Sequence, residues 1–60
     1  MKLKIIINME NDAFNPNGRE AGHILRSLAL SIDNMELEKD HGASLRDTNG
    51  NTCGEWKVTK

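Results

Sequence analysis

The chain has little of what usually gives a small protein a recognisable chemistry. It contains one cysteine, one proline, one phenylalanine, one tryptophan and no tyrosine in 60 residues. A single cysteine, Cys53, excludes an internal disulfide, which suits a reducing compartment. The longest apolar run, three isoleucines near the start, is too short for a membrane span or a signal-peptide core. We therefore expect a soluble cytoplasmic protein.

An excess of charge of one sign is also missing. Eight basic residues stand against nine acidic ones, for a net charge of -1. A protein that imitates DNA would be strongly acidic, and a general nucleic-acid binder is usually basic, so neither class fits. A chain this short buries only about 60% of its unfolded surface. We expect one domain over residues 1–60, with a thin stability margin that pairing with another chain would relieve.

The clearest structural signal in the chain is at residues 45–56, where the sequence LRDTNGNTCGEW predicts a β-hairpin. Asp47 can accept hydrogen bonds from the turn backbone, and Asn49-Gly50 supplies the position that needs positive φ. A type I turn with Gly50 as a bulge would pair Asp47 with Asn51.

Further along the hairpin, the pattern predicts that Leu45 lies opposite Cys53 and that both face the core. Plain alternation would then bury Glu55. A bulge at Gly54 would reset the phase and turn Trp56 and Val58 inward, which explains a glycine inside a strand.

Alternation from Lys2 to Asn8 predicts a half-buried strand, with Ile6 as the apolar residue on its wetter face. A helix should begin near Pro16 to Gly18, capped by Asn15 or, alternatively, by Asn17 with Glu20 as a capping box. It should run to about Asp33. Its predicted apolar face consists of Ala21, Ile24, Leu25, Leu28 and Ile32.

Together these elements predict an α+β fold: a single β-α-β-β domain with one amphipathic helix packed on a three-stranded sheet. We expect an antiparallel sheet of order 1-3-2, with Leu25 and Leu28 packed against Ile5 and Ile7. Phe14 should act as a lid on this core. The first strand is then an edge, a template for a homodimer or for a partner strand.

The ending LRDTNGNTCGEW, the early NDAF and the helix segment ILRSLA resemble small uncharacterised proteins encoded by bacteriophages and prophages. The resemblance covers most of the chain and is most specific from Leu45 to Gly54. Cys53 stands where a valine is expected, which supports a core role for it. The resemblance implies a bacterial host cell, and it brings no established catalytic residues to carry over to this chain. It also implies binding that redirects host machinery, including defence systems such as CRISPR or restriction.

Enzymatic and metal sites are not indicated by the residues. Asp47, Asn49 and Asn51 look like the opening of a calcium loop, but Thr52 and Val58 stand where that loop needs glycine and glutamate. A metal site could be assembled from His23, His41, Cys53 and Asp40, but no pair of these residues has a familiar ligand spacing. No serine lies in a nucleophile motif and no glycine-rich phosphate loop is present. We predict no enzymatic activity, no cofactor and no metal.

Two surfaces remain as candidates for binding. The first is the helix strip, defined as Arg19, His23, Arg26 and Leu30, which would dock an acidic partner with Leu30 as its apolar anchor. An ordinary solvated helix face is the alternative, since single exposed leucines are normal. The second is the basic sheet face, defined as Lys2, Lys4, Arg46 and Lys57. It lacks the aromatic platforms that sheet-based nucleic-acid readers add.

The sequence therefore favours a non-enzymatic protein-binding module that inhibits or redirects a host protein complex. A small nucleic-acid-binding regulator that uses the basic sheet face is the alternative. A subunit that only dimerises and stabilises a larger assembly is the third interpretation.

Overall fold

Three strands and one long helix account for most of the chain in the computed structural model, which describes all 60 residues. In chain order these are β1 (Lys2–Ile7), α1 (Asn17–Ile32), β2 (Gly42–Arg46) and β3 (Thr52–Thr59). A short 3-10 turn, Asp12–Phe14, precedes α1. β3 lies between β1 and β2 and is antiparallel to both. The predicted α+β fold with strand order 1-3-2 is confirmed.

The helix begins within the predicted range but is capped differently. Pro16 occupies the N-cap position of α1, and no side chain accepts a hydrogen bond there. Both predicted caps, Asn15 and the pair of Asn17 and Glu20, are therefore wrong. Glu20 is buried and its carboxylate binds Thr48 in the hairpin turn instead, accepting from the backbone N at 2.7 Å and from Oγ1 at 2.6 Å.

The core consists of seven apolar residues that pack α1 onto the centre of the sheet. They are Phe14, Ile24, Leu28, Leu45, Cys53, Trp56 and Val58. Both aromatic residues are in this cluster, so the prediction that Phe14 covers the core is confirmed. None of the seven comes from β1, of which only Ile7 is partly buried against the cluster, so most of the β1 edge lies outside the core.

Leu25 is where the predicted packing fails. Leu28 is buried as expected, but Leu25 is 44% exposed and Ile5 is 38% exposed, while Ile7 is half-buried. Helical periodicity places Leu25 on the flank of the apolar stripe, about 100° from Ile24. A single helix over the centre of a three-stranded sheet contacts it through a narrower stripe than the sequence pattern offers. The flank of the apolar stripe, where Leu25 lies, therefore extends beyond the contact between α1 and the sheet.

The turn of the hairpin has the predicted geometry. Gly50 N donates to Asp47 O at 3.0 Å, Asp47 N donates to Asn51 O at 2.9 Å, and Gly50 has φ of 83°. The Asp47 carboxylate holds the turn, because its Oδ1 accepts from the backbone N of Asn49 and of Asn51. Its Oδ2 accepts from the Asn11 side chain at 2.7 Å, which ties the loop before the helix to the same turn.

The bulge in the hairpin lies one residue earlier than predicted. Leu45 pairs with Gly54 and Arg46 pairs with Thr52, so Cys53 is the extra residue and does not lie opposite Leu45. Trp56 and Val58 still face the core, as expected from a phase reset. Gly54 serves another purpose: a Cβ there would come within 2.0 Å of the Ile6 carbonyl oxygen. The glycine permits close approach of β1 and β3.

Candidate protein-binding groove

A groove separates α1 from β2 and is the largest concavity of the molecule, with a volume of about 700 Å³. Its floor is apolar and consists of core residues, with Trp56 beneath and Ile24, Leu28 and Leu45 beside it. Its rim is polar, with His23 and Ser27 on the helix and Ser44 on the strand among its lining residues. A concave site with an apolar floor and a few polar groups is the usual form of a ligand or peptide pocket.

The groove exists because the residues that face each other across it are small. Ala43 lies directly opposite Trp56 on β3 and so shares its inner face, yet Ala43 is exposed. Its methyl group is too short to reach the helix. On the other wall, the Ser31 hydroxyl donates back to the Ser27 carbonyl oxygen at 3.1 Å rather than across the gap. A gap is therefore left between the helix and β2, although the core residues that form its floor remain buried.

The β2 strand beside the groove is a free edge of the sheet. Hydrogen bonding in an antiparallel pair alternates from one residue to the next. His41 O accepts from Val58 N, and Asp47 N donates to Asn51 O, so the odd-numbered residues of β2 bind β3. The backbone N–H and C=O of Gly42 and Ser44 then point away from the sheet. They are available to an added strand.

The helix strip continues the rim of this groove around α1. All four of its residues are exposed, and Leu30 is 78% exposed. At 100° per residue, His23, Leu30, Arg19 and Arg26 follow Ser27 in that order around the helix. The one contact between a basic and an acidic side chain joins His41 Nε2 to Glu38 at 3.7 Å, so neither arginine is neutralised by an acidic neighbour. Of the four residues only His23 lines the groove, and the guanidinium of Arg26 lies beside Gly22, on the side of the strip away from the groove.

The basic sheet face lies on the opposite side of the domain, away from α1. Lys4 is directly opposite Lys57, and Lys2 is one step further along the same face. Like charges in directly opposed positions destabilise a sheet. Arg46 is placed on the same face by alternation but folds back, with Nη1 donating to the Gly50 carbonyl oxygen at 3.3 Å. Both aromatic side chains are buried on the other side, so this face has no stacking platform.

Cys53 has the surroundings of a packing residue rather than a nucleophile. Burial raises the pKa of its thiol, and the nearby carboxylates of Asp47 and Glu20 raise it further. A protonated, buried thiol is a poor nucleophile and a poor metal ligand. No group of three or more His, Cys, Asp or Glu side chains is arranged to hold a metal ion.

Comparisons with known proteins add nothing to this geometry. No protein-family model, curated protein sequence or solved structure matches the chain. Neither helical segment has the length and apolar composition needed to cross a bilayer.

The groove is the feature that sequence reasoning missed. It is created between two elements that are distant in the chain, and local periodicity does not report the gap between them. One signal was present: Gly42, Ala43 and Ser44 form a run of small residues in β2, opposite the serines of α1. Small residues on facing elements leave space where larger side chains would interlock.

Proposed function

We propose that this protein is a non-enzymatic protein-binding module that takes an extended segment of its partner along β2. The segment would add a strand to the free edge at Gly42 and Ser44 and place an apolar side chain in the groove above Trp56. Its acidic residues would meet the helix strip. The observation that carries the proposal is the adjacency of the free edge and the groove, with His23 of the strip on the groove's rim. Strand addition supplies affinity and a neighbouring pocket supplies specificity.

Charge favours an acidic partner segment. Arg19 and Arg26 have no acidic partner within the domain, and His23 forms part of the groove's rim. Arginine pairs with carboxylates through a planar fork and is enriched among residues that dominate binding energy. Leu30 supplies an exposed apolar contact at the C-terminal end of the strip. A segment with one bulky apolar residue followed by carboxylates would complement both surfaces.

The biological role follows from the resemblance to phage and prophage proteins. We infer that the partner is a host protein complex, such as a defence system of the CRISPR or restriction type, and that binding inhibits or redirects it. A small domain can do this without catalysis by occupying a strand edge or a docking surface that the complex needs. The cytoplasm of the bacterial host is the place where such a partner would be met.

Selection of binders from a random peptide library displayed on yeast tests the binding mode directly. We expect enriched peptides to share one large apolar residue beside acidic residues. Arg26→Glu should weaken the selected peptides roughly tenfold or more by reversing a contact charge. Ser44→Pro should weaken them as well, because proline removes an outward N–H that an added strand needs. Ala43→Phe should do the same by filling the groove.

Matched controls separate this site from a general loss of stability or charge. Lys60→Glu makes the same change of charge as Arg26→Glu at a distant exposed position, and Leu25→Ala truncates a leucine on the other flank of the same helix. Both controls should retain binding, whereas Leu30→Ala should weaken it. If the peptides show no shared pattern, or if Ala43→Phe and Arg26→Glu bind like the wild type while folded, the proposal is wrong.

A nucleic-acid-binding regulator remains the second candidate because of one observation. Lys4 and Lys57 are directly opposed and neither forms a salt bridge, although Glu55 lies on the same face. Binding through this face would weaken steeply with salt, by a slope proportional to the number of phosphates contacted. Titration of a fluorescent oligonucleotide at several salt concentrations, with Lys57→Ala as the variant, tests it. Absence of binding at low salt would eliminate this candidate.

A further inference from the structure

The second edge of the sheet, β1, carries apolar side chains that the domain covers only in part. Leu3 lies opposite Val58 and Ile5 lies opposite Trp56, so both face the helix side of the sheet. Val58 and Trp56 are buried, yet Leu3 and Ile5 are 43% and 38% exposed. Leu25 is on the flank of α1 that is turned away from the groove, which is the flank on the β1 side. Exposed apolar surface is thus concentrated along one edge.

The same residues of β1 also have free backbone groups. Asn8 N donates to Cys53 O at 2.7 Å, which extends the register of β1 with β3 by one hydrogen-bonded pair. Because such pairs alternate, Lys4 and Ile6 bind β3 through their backbone. The N–H and C=O of Leu3, Ile5 and Ile7 therefore point away from the sheet, towards any strand placed beside β1.

We propose that a second copy of this chain pairs antiparallel with β1, with Ile5 on the two-fold axis. A two-fold axis perpendicular to the sheet keeps both helices on one side. Opposed residues share a face of the sheet. The odd-numbered residues of one copy must then oppose odd-numbered residues of the other. This condition leaves few registers, which differ in the charges they oppose and in how much of β1 they pair.

Charge and strand length together select the register centred on Ile5. In that register Leu3 opposes Ile7, Lys4 opposes Ile6, and Lys2 opposes Asn8, so no lysine meets a lysine. A shift of one pair in one direction places Lys4 opposite Lys4, which is unfavourable for directly opposed like charges. A shift in the other direction leaves Leu3 opposite Met9, beyond the end of the strand.

A second copy fits this edge better than a foreign strand because the edge complements itself. Ile6, which is 64% exposed on the outer face, would cover the aliphatic stem of Lys4 from the other copy. Leu3, Ile5 and Ile7 of both copies would form one apolar row beside Leu25. Pairing would join two small sheets into six strands and close an edge that is otherwise prone to aggregation. The β2 edges would stay free, so this inference does not depend on the proposed function.

Sedimentation equilibrium from micromolar to millimolar concentration tests the proposal on the full chain. We expect the wild type to reach twice the 6.7 kDa chain mass, with all three outward amides of β1 protected from exchange. Ile5→Pro should raise the dissociation constant roughly tenfold or more, because symmetry removes two hydrogen bonds at once. The proline is compatible with a folded monomer, since that N–H faces the free edge.

Ser44→Pro is the matched control, because it removes one outward N–H from the other edge of the same sheet. It should leave the dimer unchanged and impair only peptide binding, so the two proposals fail separately. A wild type that stays monomeric at millimolar concentration overturns the inference. A dimer that Ile5→Pro does not weaken also overturns it.

Cross-linking tests the register itself in a Cys53→Val background, which removes the native thiol. Ile5→Cys should form a disulfide between copies on air oxidation, since hydrogen-bonded antiparallel pairs have Cα atoms about 5.5 Å apart. Leu3→Cys should not, because the two Leu3 positions lie four residues apart along the paired strands. Cross-linking through position 3 and not through position 5 would contradict the proposed axis.

Discussion

The hairpin turn and the β1 edge are organised in opposite ways. At the turn, polar groups from three parts of the chain meet and are satisfied: Asp47 binds Asn11 and the turn backbone, and Glu20 binds Thr48. At the β1 edge, apolar side chains and backbone groups are left without partners inside the domain. The polar groups of the turn are therefore paired within the domain, whereas the outward backbone groups of β1 are not. We therefore expect partners to bind along this side, where backbone groups and apolar side chains remain available.

The largest test of this contrast compares two leucines of α1. Leu28→Ala should lower the free energy of unfolding by about 2–5 kcal/mol, because Leu28 is buried in the core cluster. Leu25→Ala should cost less than about 1 kcal/mol, because its side chain is half in solvent. Urea unfolding followed by tryptophan fluorescence measures both. Equal losses would mean that the two flanks of the helix are equally covered.

The next test removes the carboxylate that holds the turn. Asp47→Ala leaves the backbone N–H of Asn49 and Asn51 and the Asn11 side chain without their acceptor. We expect a loss of about 1–3 kcal/mol in the free energy of unfolding. Asp33→Ala, which truncates an exposed aspartate at the end of α1, is the control. A thermal melt that Asp47→Ala shifts no more than the control would contradict the assigned network.

Two glycines provide a smaller and sharper comparison. Gly50 has φ of 83°, a region that is strained for alanine, so Gly50→Ala should destabilise by roughly 1 kcal/mol. Gly18 lies in the first turn of α1, where an added methyl group would meet only open space, and alanine favours helices. Gly18→Ala should therefore leave the melting temperature unchanged or raise it. An unchanged melting temperature for Gly50→Ala would contradict the positive φ assigned to Gly50 in the turn.

The smallest effect concerns alkaline pH and Cys53. Burial, with Asp47 and Glu20 nearby, raises the pKa of this thiol above its ordinary value of 9.0. The folded state then holds the thiol proton more tightly than the unfolded state does. Stability from this group is complete below the unfolded pKa and declines as pH rises above it through the folded pKa. Denaturation at increasing alkaline pH should show this decline in the wild type but not in Cys53→Val.

Local patterns predicted the elements and the turn well because their causes are local. Asp47, Asn49 and Gly50 act within four residues of one another, so the turn could be read from the chain. Periodicity likewise placed Ile24 and Leu28 in the core. Periodicity could not predict whether Leu25 is buried, because the width of the helix–sheet contact depends on how many strands lie beneath the helix.

Errors arose where a residue is used by a distant part of the chain. Glu20 has the spacing of a capping-box residue, yet its partner Thr48 is 28 residues away. Gly54 suggested a bulge, whereas the close approach of Ile6 from β1 explains it and the bulge falls on Cys53. The groove has the same origin, since it is the space left between α1 and β2.

The contact between Glu20 and Thr48 has a consequence for the order in which the domain can assemble. Thr48 presents its N–H and hydroxyl together only when the turn from Asp47 to Gly50 has its native backbone. The carboxylate on α1 therefore finds both donors only after the hairpin has closed. A helix that docks on an unformed hairpin would bury Glu20 with no partner, which is costly for a charged group. We therefore expect α1 to dock stably only on a hairpin that has already closed, so that helix docking and hairpin closure are cooperative.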